Sequence, residues 1–455
     1  MQSMIRRLQQ GRTVPDICGL QGGSRALFLA EACAGLGRTV LAIVATDDLL
    51  EPLAQDIGLF ARDPVLVYPS FEIPPYTPLS PDPATVATRL STLHRLQEAP
   101  AIVLTSAEAV LRRILPRKAL NDHSELLIRG EEVDREALID TLTMAGYQAC
   151  DMVSREGDVA VRGGIIDIFA PATEAGPPDP LRLDFFGDTL ESLRSFDPLT
   201  QRSIREQEEA ILLPASDILF SADRRRWQES LRTAISDLGL PRQQAASLQE
   251  RLGQQVRFPG IEFFLPLIYG GPGSLQTLFD YLPADALIVL SEPDLLGRQQ
   301  DLVQERIQAN FLEAREGDIA ALPPETLFLD RDEFQRISAR FPTIRLCTLP
   351  DPDRDGEPVT IHTGDHSLLR QEIELERKKR GLLAPLADRI IRWQQRGETT
   401  IMACRSGRQA GHLQEMLAGY QIRCQGIDAP LDMNALPAAD HVHLVEHPLS
   451  RGFDL

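Results

Sequence analysis

The residues Gly19-Leu20-Gln21-Gly22-Gly23-Ser24-Arg25-Ala26 stand at the spacing of a phosphate-binding loop, directly ahead of an apolar helical stretch. A working loop, G-x-x-x-x-G-K-[ST], lets the backbone approach phosphate at its second Gly, reaches the β- and γ-phosphates with Lys and offers Mg²⁺ a hydroxyl. Ser24, Arg25 and Ala26 hold those three places. An Arg can hold a phosphate electrostatically, but Ala26 offers no oxygen to a metal, so efficient ATP hydrolysis is not expected here. A second place reads the same way. The apolar run Ala286 to Leu290 is followed by Ser291-Glu292-Pro293-Asp294. ATPases end such a strand in Asp-Glu, the Asp serving Mg²⁺ and the Glu orienting water. Ser291 replaces the Asp while Glu292 remains, so Gly19, Ser24, Arg25, Ala26, Ser291 and Glu292 form a degenerate nucleotide site, with no catalytic residue expected.

A different chemistry sits in three extended segments: Asp158 to Gly164, Ile165 to Phe169, and Leu181-Arg182-Leu183-Asp184-Phe185-Phe186-Gly187-Asp188. Gly163-Gly164 permits a tight bend, and Gly187-Asp188 marks a hairpin turn into Thr189 to Phe196. Side chains alternate along a strand, so Arg182, Asp184 and Phe186 share one face and Leu183 and Phe185 the other. If the second face is core, an Arg and an aromatic are displayed outward together, the combination that dominates interface affinity. The alternative is Arg182 in a solvated ion pair with Asp184 or Asp188, and Phe186 folded over the hairpin edge.

Other clusters carry less. His441, His443, Glu446 and His447 lack a recognised metal-ligand geometry, so no metal site is expected. Arg377-Lys378-Lys379-Arg380 follows Glu372, Glu374 and Glu376 on one helical stretch, and Arg224-Arg225-Arg226 also reads as a solvated helix face. Asp184, Asp188 and Glu191 have no matching His or second acidic cluster for hydrolytic chemistry.

The elements that must position these groups alternate strand and helix from 19 to about 115: helix Ser24 to Leu36, strand Thr39 to Val44, helix Asp47 to Phe60, strand Val65 to Tyr68, a helix with Val86, Leu90, Leu93 and Leu96 inward, strand Ala101 to Leu104, helix Glu108 to Leu115. This pattern implies a parallel sheet covered on both faces. From 126 to 212 a strand, a short helix from Asp134 to Ala145 and period-2 segments read as a small inserted α+β unit. Then come a polar helical stretch over 222–252, helix Ser274 to Phe279 and the strand Ala286 to Leu290. The expected organisation is α/β multidomain: a parallel-sheet domain in two parts, 1–125 and 213–325, interrupted by 126–212. A linker over 326–357, with a Pro/Asp/Gly-rich run at 349–357, precedes a further α/β domain over 358–455. The chain's last stretch is a strand and a loop, which reads as a piece of a longer protein.

The 455 residues exceed one core, and 47 basic against 66 acidic residues give a net charge of -19. That balance argues against duplex DNA as the main partner and favours a protein surface. Six scattered cysteines without a C-x-x-C pair suggest neither a zinc ribbon nor a disulfide framework and fit a reducing cytoplasm. No segment approaches the ~18 continuous apolar residues of a membrane span, so a cytoplasmic protein is expected.

Several motifs, in order, resemble the amino-terminal region of the bacterial transcription-repair coupling factor family: Tyr68-Pro69-Ser70-Phe71-Glu72-Ile73-Pro74-Pro75-Tyr76, Ser80-Pro81, Arg89-Leu90-Ser91-Thr92-Leu93, Arg162 to Phe169, Arg182 to Phe186, Ser195-Phe196-Asp197 and Gly260 to Leu267. The related excision-nuclease subunit UvrB shares the Arg-Gly and Phe-Phe-Gly-Asp hairpins but keeps an intact phosphate loop and the strand-end Asp. The resemblance implies a UvrB-like fold with 126–212 binding the damage-recognition protein UvrA. It places contact positions on Arg162, Arg182 and Phe186; Asp184 joins them from the strand geometry. It also implies that RNA polymerase, duplex DNA, ATP and Mg²⁺ engage domains of the longer protein outside this chain. The alternatives are an active UvrB-like helicase module and a plain scaffold that masks sites within its parent.

Overall fold

The computed structural model describes residues 16–454 except 175, 177, 222, 239, 318–319, 351–357, 381–382 and 434. The first fifteen residues and most of the Pro/Asp/Gly-rich run therefore lie outside the described residues, as do the side chains of Arg224 and of Arg377-Lys378-Lys379-Arg380.

The first part of the chain runs β1 (Ile17–Cys18), α1 (Ser24–Leu36), β2 (Val40–Val44), α2 (Leu50–Gly58), β3 (Val65–Tyr68), α3 (Pro83–Arg95) and β4 (Ile102–Ser106). Every residue of β2 and β4 is buried, as a parallel strand covered by helices on both faces requires. The left-handed Gly37 (φ 62°) closes α1, its amide reaching the Cys33 carbonyl at 2.8 Å. The helix expected over 108–115 is only Ala107–Leu111. Beyond it, Ile114 exchanges backbone hydrogen bonds with Gln276, which also keeps 274–277 out of the helix expected from Ser274 to Phe279.

The inserted unit comprises β5 (Glu125–Ile128), α4 (Arg135–Met144), β6 (Gln148–Ala149), β7 (Asp158–Arg162), β8 (Ile165–Ile168), β9 (Leu181–Phe186), β10 (Thr189–Phe196), β11 (Ser203–Glu206) and β12 (Glu209–Leu212). Its six-stranded sheet has the order β11-β10-β9-β8-β7-β6, and β12 pairs with β5 at its root.

The chain then continues through α5 (Arg224–Asp237) and α6 (Arg242–Gly253), separated at Pro241, which initiates the second helix. It returns to the first sheet with β13 (Leu287–Ser291), α7 (Pro293–Glu316), α8 (Arg331–Ser338), β14 (Thr343–Cys347) and β15 (Val359–Thr360). The completed sheet is parallel throughout, in the order β15-β1-β14-β13-β2-β4-β3. The span 326–357 is therefore more than a linker. It supplies α8 and an interior strand, whose Ile344 and Leu346 are buried while Thr343 and Arg345 alternate with them.

The last unit contains β16 (Gly364–Asp365), α9 (Ser367–Arg380), α10 (Ala384–Gln395), β17 (Thr400–Cys404), α11 (Gly407–Ala418), β18 (Cys424–Ile427), β19 (Val442–Glu446) and β20 (Phe453–Asp454). A three-stranded parallel sheet, β17-β19-β18, packs on α10 and α11 through Ala387, Ile390, Leu417, Val442 and Leu444. The architecture is α/β multidomain. Among the described residues no helix is long and apolar enough to cross a membrane.

Candidate partner-docking face

The inserted sheet packs one face into its main core and carries a second, smaller apolar cluster with charged residues on the other, and the alternation of β8, β9 and β10 decides which residue lies on which. Val159, Ile166, Ile168, Leu181, Leu183, Leu190 and Leu193 pack with Leu138, Leu142 and Tyr147 into one core. The opposite face carries two rows set by strand pairing: Arg162, Ile165 and Asp184 in one, Asp167, Arg182 and Arg194 in the next.

Arg182 makes a two-pronged ion pair with Asp167, Nε to Oδ1 at 2.7 Å and the far nitrogen to Oδ2 at 2.8 Å. Its guanidinium lies over the Phe196 ring, 4.5 Å from the centroid, and donates to the Gln201 carbonyl at 3.3 Å. Asp167 is 1% exposed, and its hydrogen bonds hold the Arg182 pKa above the usual arginine value despite the burial that opposes this. The partner of Arg182 is thus neither Asp184 nor Asp188. Asp184 instead accepts from Arg194. Arg162 is exposed and donates to the Asp151 carbonyl.

Phe186 is the outlier on this face: 76% exposed, it sits at the last position of β9 beside the Gly187-Asp188 turn. It does not fold over the hairpin edge. The Gly163-Gly164 turn lies at the same end of the sheet, where the Phe185 amide donates to the Gly164 carbonyl at 2.8 Å. Exposed Val161 and Ile165 flank that turn. Arg135, at the start of α4, donates to the Gly163 carbonyl at 2.6 Å and so ties the turn to the helix. Only proximity in the fold reveals Arg135 and Asp167, although an Asp set in the apolar run Ile165-Ile166-Asp167-Ile168 was a signal that a buried partner must exist. The structure therefore brings Arg162, Asp184 and Phe186 to one accessible rim, with Arg182 behind them as a structural brace.

The other set of residues also converges. Arg25 donates to the Glu292 carboxylate, to Thr348 Oγ1 at 3.0 Å and to the Leu20 carbonyl at 3.1 Å, with Ser291 Oγ at 3.5 Å. Burial raises the Glu292 carboxyl, but the Thr348 hydroxyl and amide and the Arg25 guanidinium outweigh it and hold the pKa below the usual glutamate value. Ser24 Oγ donates to the Gln21 carbonyl at 2.6 Å, Ala26 is buried, and Gly19 takes a left-handed φ of 86°. Thr348 fell inside the span read as linker.

His443 is buried with Nε2 2.8 Å from the Ala438 carbonyl. Among the described residues no group of three or more His, Cys, Asp or Glu gathers in a metal-binding arrangement.

A family profile described as the UvrB interaction domain matches residues 126–218, which is the inserted unit with the short irregular stretch that follows it. Transcription-repair-coupling factors are similar over longer stretches. The protein of Myxococcus xanthus is 29% identical over 96% of this chain and 37% of its own length. That of Escherichia coli K12 is 30% identical over 72% of this chain and 28% of its own length. That of Bacillus subtilis is 26% identical over 68% of this chain and 27% of its own length. The chain thus spans less than two fifths of each of these relatives. By sequence the chain belongs with the transcription-repair-coupling factors, as an amino-terminal region carrying a UvrB interaction domain.

Proposed function

We propose that this chain is the docking segment of a transcription-repair-coupling factor, and that its inserted unit captures the damage-recognition protein UvrA. The observation that carries this reading is Phe186. It is a large aromatic, 76% exposed, on the rim of the domain matched as the UvrB interaction domain, on the same sheet face as exposed Arg162 two strands away. Aromatics and Arg are the residue types that most often anchor protein interfaces. Asp184, held by Arg194, adds a fixed carboxylate to the same rim. In this reading RNA polymerase, duplex DNA and ATP-driven translocation belong to the longer protein, and this segment contributes recruitment without catalysis. Its work is confined to the cytoplasm, where UvrA and stalled polymerase meet.

The test is capture of purified UvrA by the immobilised chain. Phe186→Ala is expected to weaken capture at least about tenfold, as loss of a hot-spot aromatic does, while the urea midpoint stays at the wild-type value. Wild-type capture by both Phe186→Ala and Arg162→Ala would exclude this face.

A further inference from the structure

The loop Gly19 to Ser24 has the build of a site for phosphate, and four of its amides are already engaged by oxygen atoms of the chain itself. Gln21 N donates to Thr363 Oγ1 at 2.9 Å, and Gly23 N to the Arg451 carbonyl at 3.0 Å. Gly19 N donates to the Cys347 carbonyl at 3.3 Å, and Ser24 N turns inward to the Gln21 carbonyl at 3.1 Å. Thr363 also donates from its hydroxyl to the Gly19 carbonyl at 2.8 Å, so one side chain satisfies both a donor and an acceptor of the loop.

The space over the glycines is filled as well. A Cβ on Gly19 would lie 2.6 Å from the Ile361 carbonyl oxygen, one on Gly22 2.9 Å from that of Arg451, and one on Gly23 2.8 Å from the Leu449 side chain and 3.0 Å from the Phe453 ring. The smallness that admits a phosphate in a working loop here admits two backbone segments, 361–363 and 449–453. Carbonyl oxygens at the start of α1 meet the positive end of its dipole, the same electrostatics that favour an anion there. The cation that would have neutralised phosphate, Arg25, is turned onto Glu292 and Thr348.

Contacts beyond the loop hold the second segment in place. Asp56 of α2 accepts from Ser450 twice, from its amide at 2.7 Å and its hydroxyl at 2.5 Å. Phe60 meets Phe453 edge-on with centroids 6.1 Å apart, and Leu431 N donates to the Leu59 carbonyl at 2.8 Å.

We propose that the degenerate phosphate loop is a socket for the chain's own last unit: segments 361–363 and 449–453 occupy the position of a nucleotide's phosphates, fasten the last unit onto the first sheet and exclude nucleotide from the loop. Loss of the Lys and the metal hydroxyl then leaves a loop whose remaining glycines and amides bind protein. The socket is independent of the UvrA-docking rim, which lies on a different sheet.

The experiment is hydrogen–deuterium exchange on the whole chain, with equilibrium dialysis against radiolabelled MgATP. In the wild type, peptides over 19–26 and 447–454 are expected to exchange slowly together, and MgATP is not retained. In Asp56→Ala/Phe453→Ala both peptides are expected to exchange at least about tenfold faster, while peptides over β2 and β4 stay protected. Thr363→Val, a milder change that keeps the fold, is expected to speed exchange at 19–26 first. Three results overturn the proposal: MgATP retained by the wild type with 447–454 still protected, unchanged exchange at 19–26 in the double variant, or unchanged exchange at 19–26 in Thr363→Val.

Discussion

Removing the Arg182 guanidinium would leave Asp167 buried and charged without a partner, so a substitution there measures stability before it measures docking. Breaking one side of a buried pair costs about 3 kcal/mol or more. Arg182→Ala is therefore expected to shift the urea midpoint strongly, and Arg182→Ala/Asp167→Ala to regain part of that loss; equal midpoints for the two variants would show that the pair is not what matters. Phe186→Ala, on an exposed rim, is expected within about 0.5 kcal/mol of wild type. Capture lost in both single variants would then have two different causes. Only the second would report on the interface.

At the level of the element, the two glycines of the Gly163-Gly164 turn look alike in sequence but differ in their surroundings. Gly163 is left-handed (φ 59°) with open space around its missing Cβ, so Gly163→Ala meets only backbone strain, about 1 kcal/mol. A Cβ on Gly164 would sit 2.7 Å from the Phe185 carbonyl oxygen, which is backbone and cannot swing aside. Gly164→Ala is expected to push β8 from β9 and cost the larger amount, about 2 kcal/mol, with the tip carrying Phe186 displaced. Thermal unfolding of the two variants checks the order. These strands were legible beforehand because period-2 alternation separates Leu183 from Arg182 and Asp184 whatever lies around them. The brace to Asp167 and the clamp from Arg135 were not, since each joins elements whose contact no local pattern encodes. The same holds for β14. It is a short strand that alternates polar and apolar residues, and only the sheet's crossover order shows that it fills the gap between β1 and β13.

For the molecule as a whole, a buried polar knot makes stability depend on pH. Glu262 is 6% exposed, and burial, reinforced by the nearby Asp217 charge, lifts its carboxyl from 4.5 to about 7. Arg112 and Arg89 stack on the Phe71 ring close by, at 4.6 and 4.2 Å from its centroid. Because the folded pKa is the higher one, the folded state keeps a proton that the unfolded chain releases above 4.5. The stability this group contributes is complete below 4.5 and is lost as pH rises through about 7. Urea unfolding at about pH 5 and about pH 8 is expected to show a decline in the wild type that Glu262→Gln reduces, by on the order of 3 kcal/mol at most. An identical decline in both chains would place the titration elsewhere.

The first strand has one more consequence, in time. Among the described residues Ile17 and Cys18 pair with β14 and β15 alone, their register partners being Leu346, Cys347, Val359 and Thr360. On a ribosome adding roughly 5–20 residues per second, β1 emerges first and then waits on the order of 20–60 s for any strand it can join. The inserted unit, whose strands are nearly all sequential neighbours, can fold during that wait. The candidate docking face would be formed before the sheet that carries it has closed.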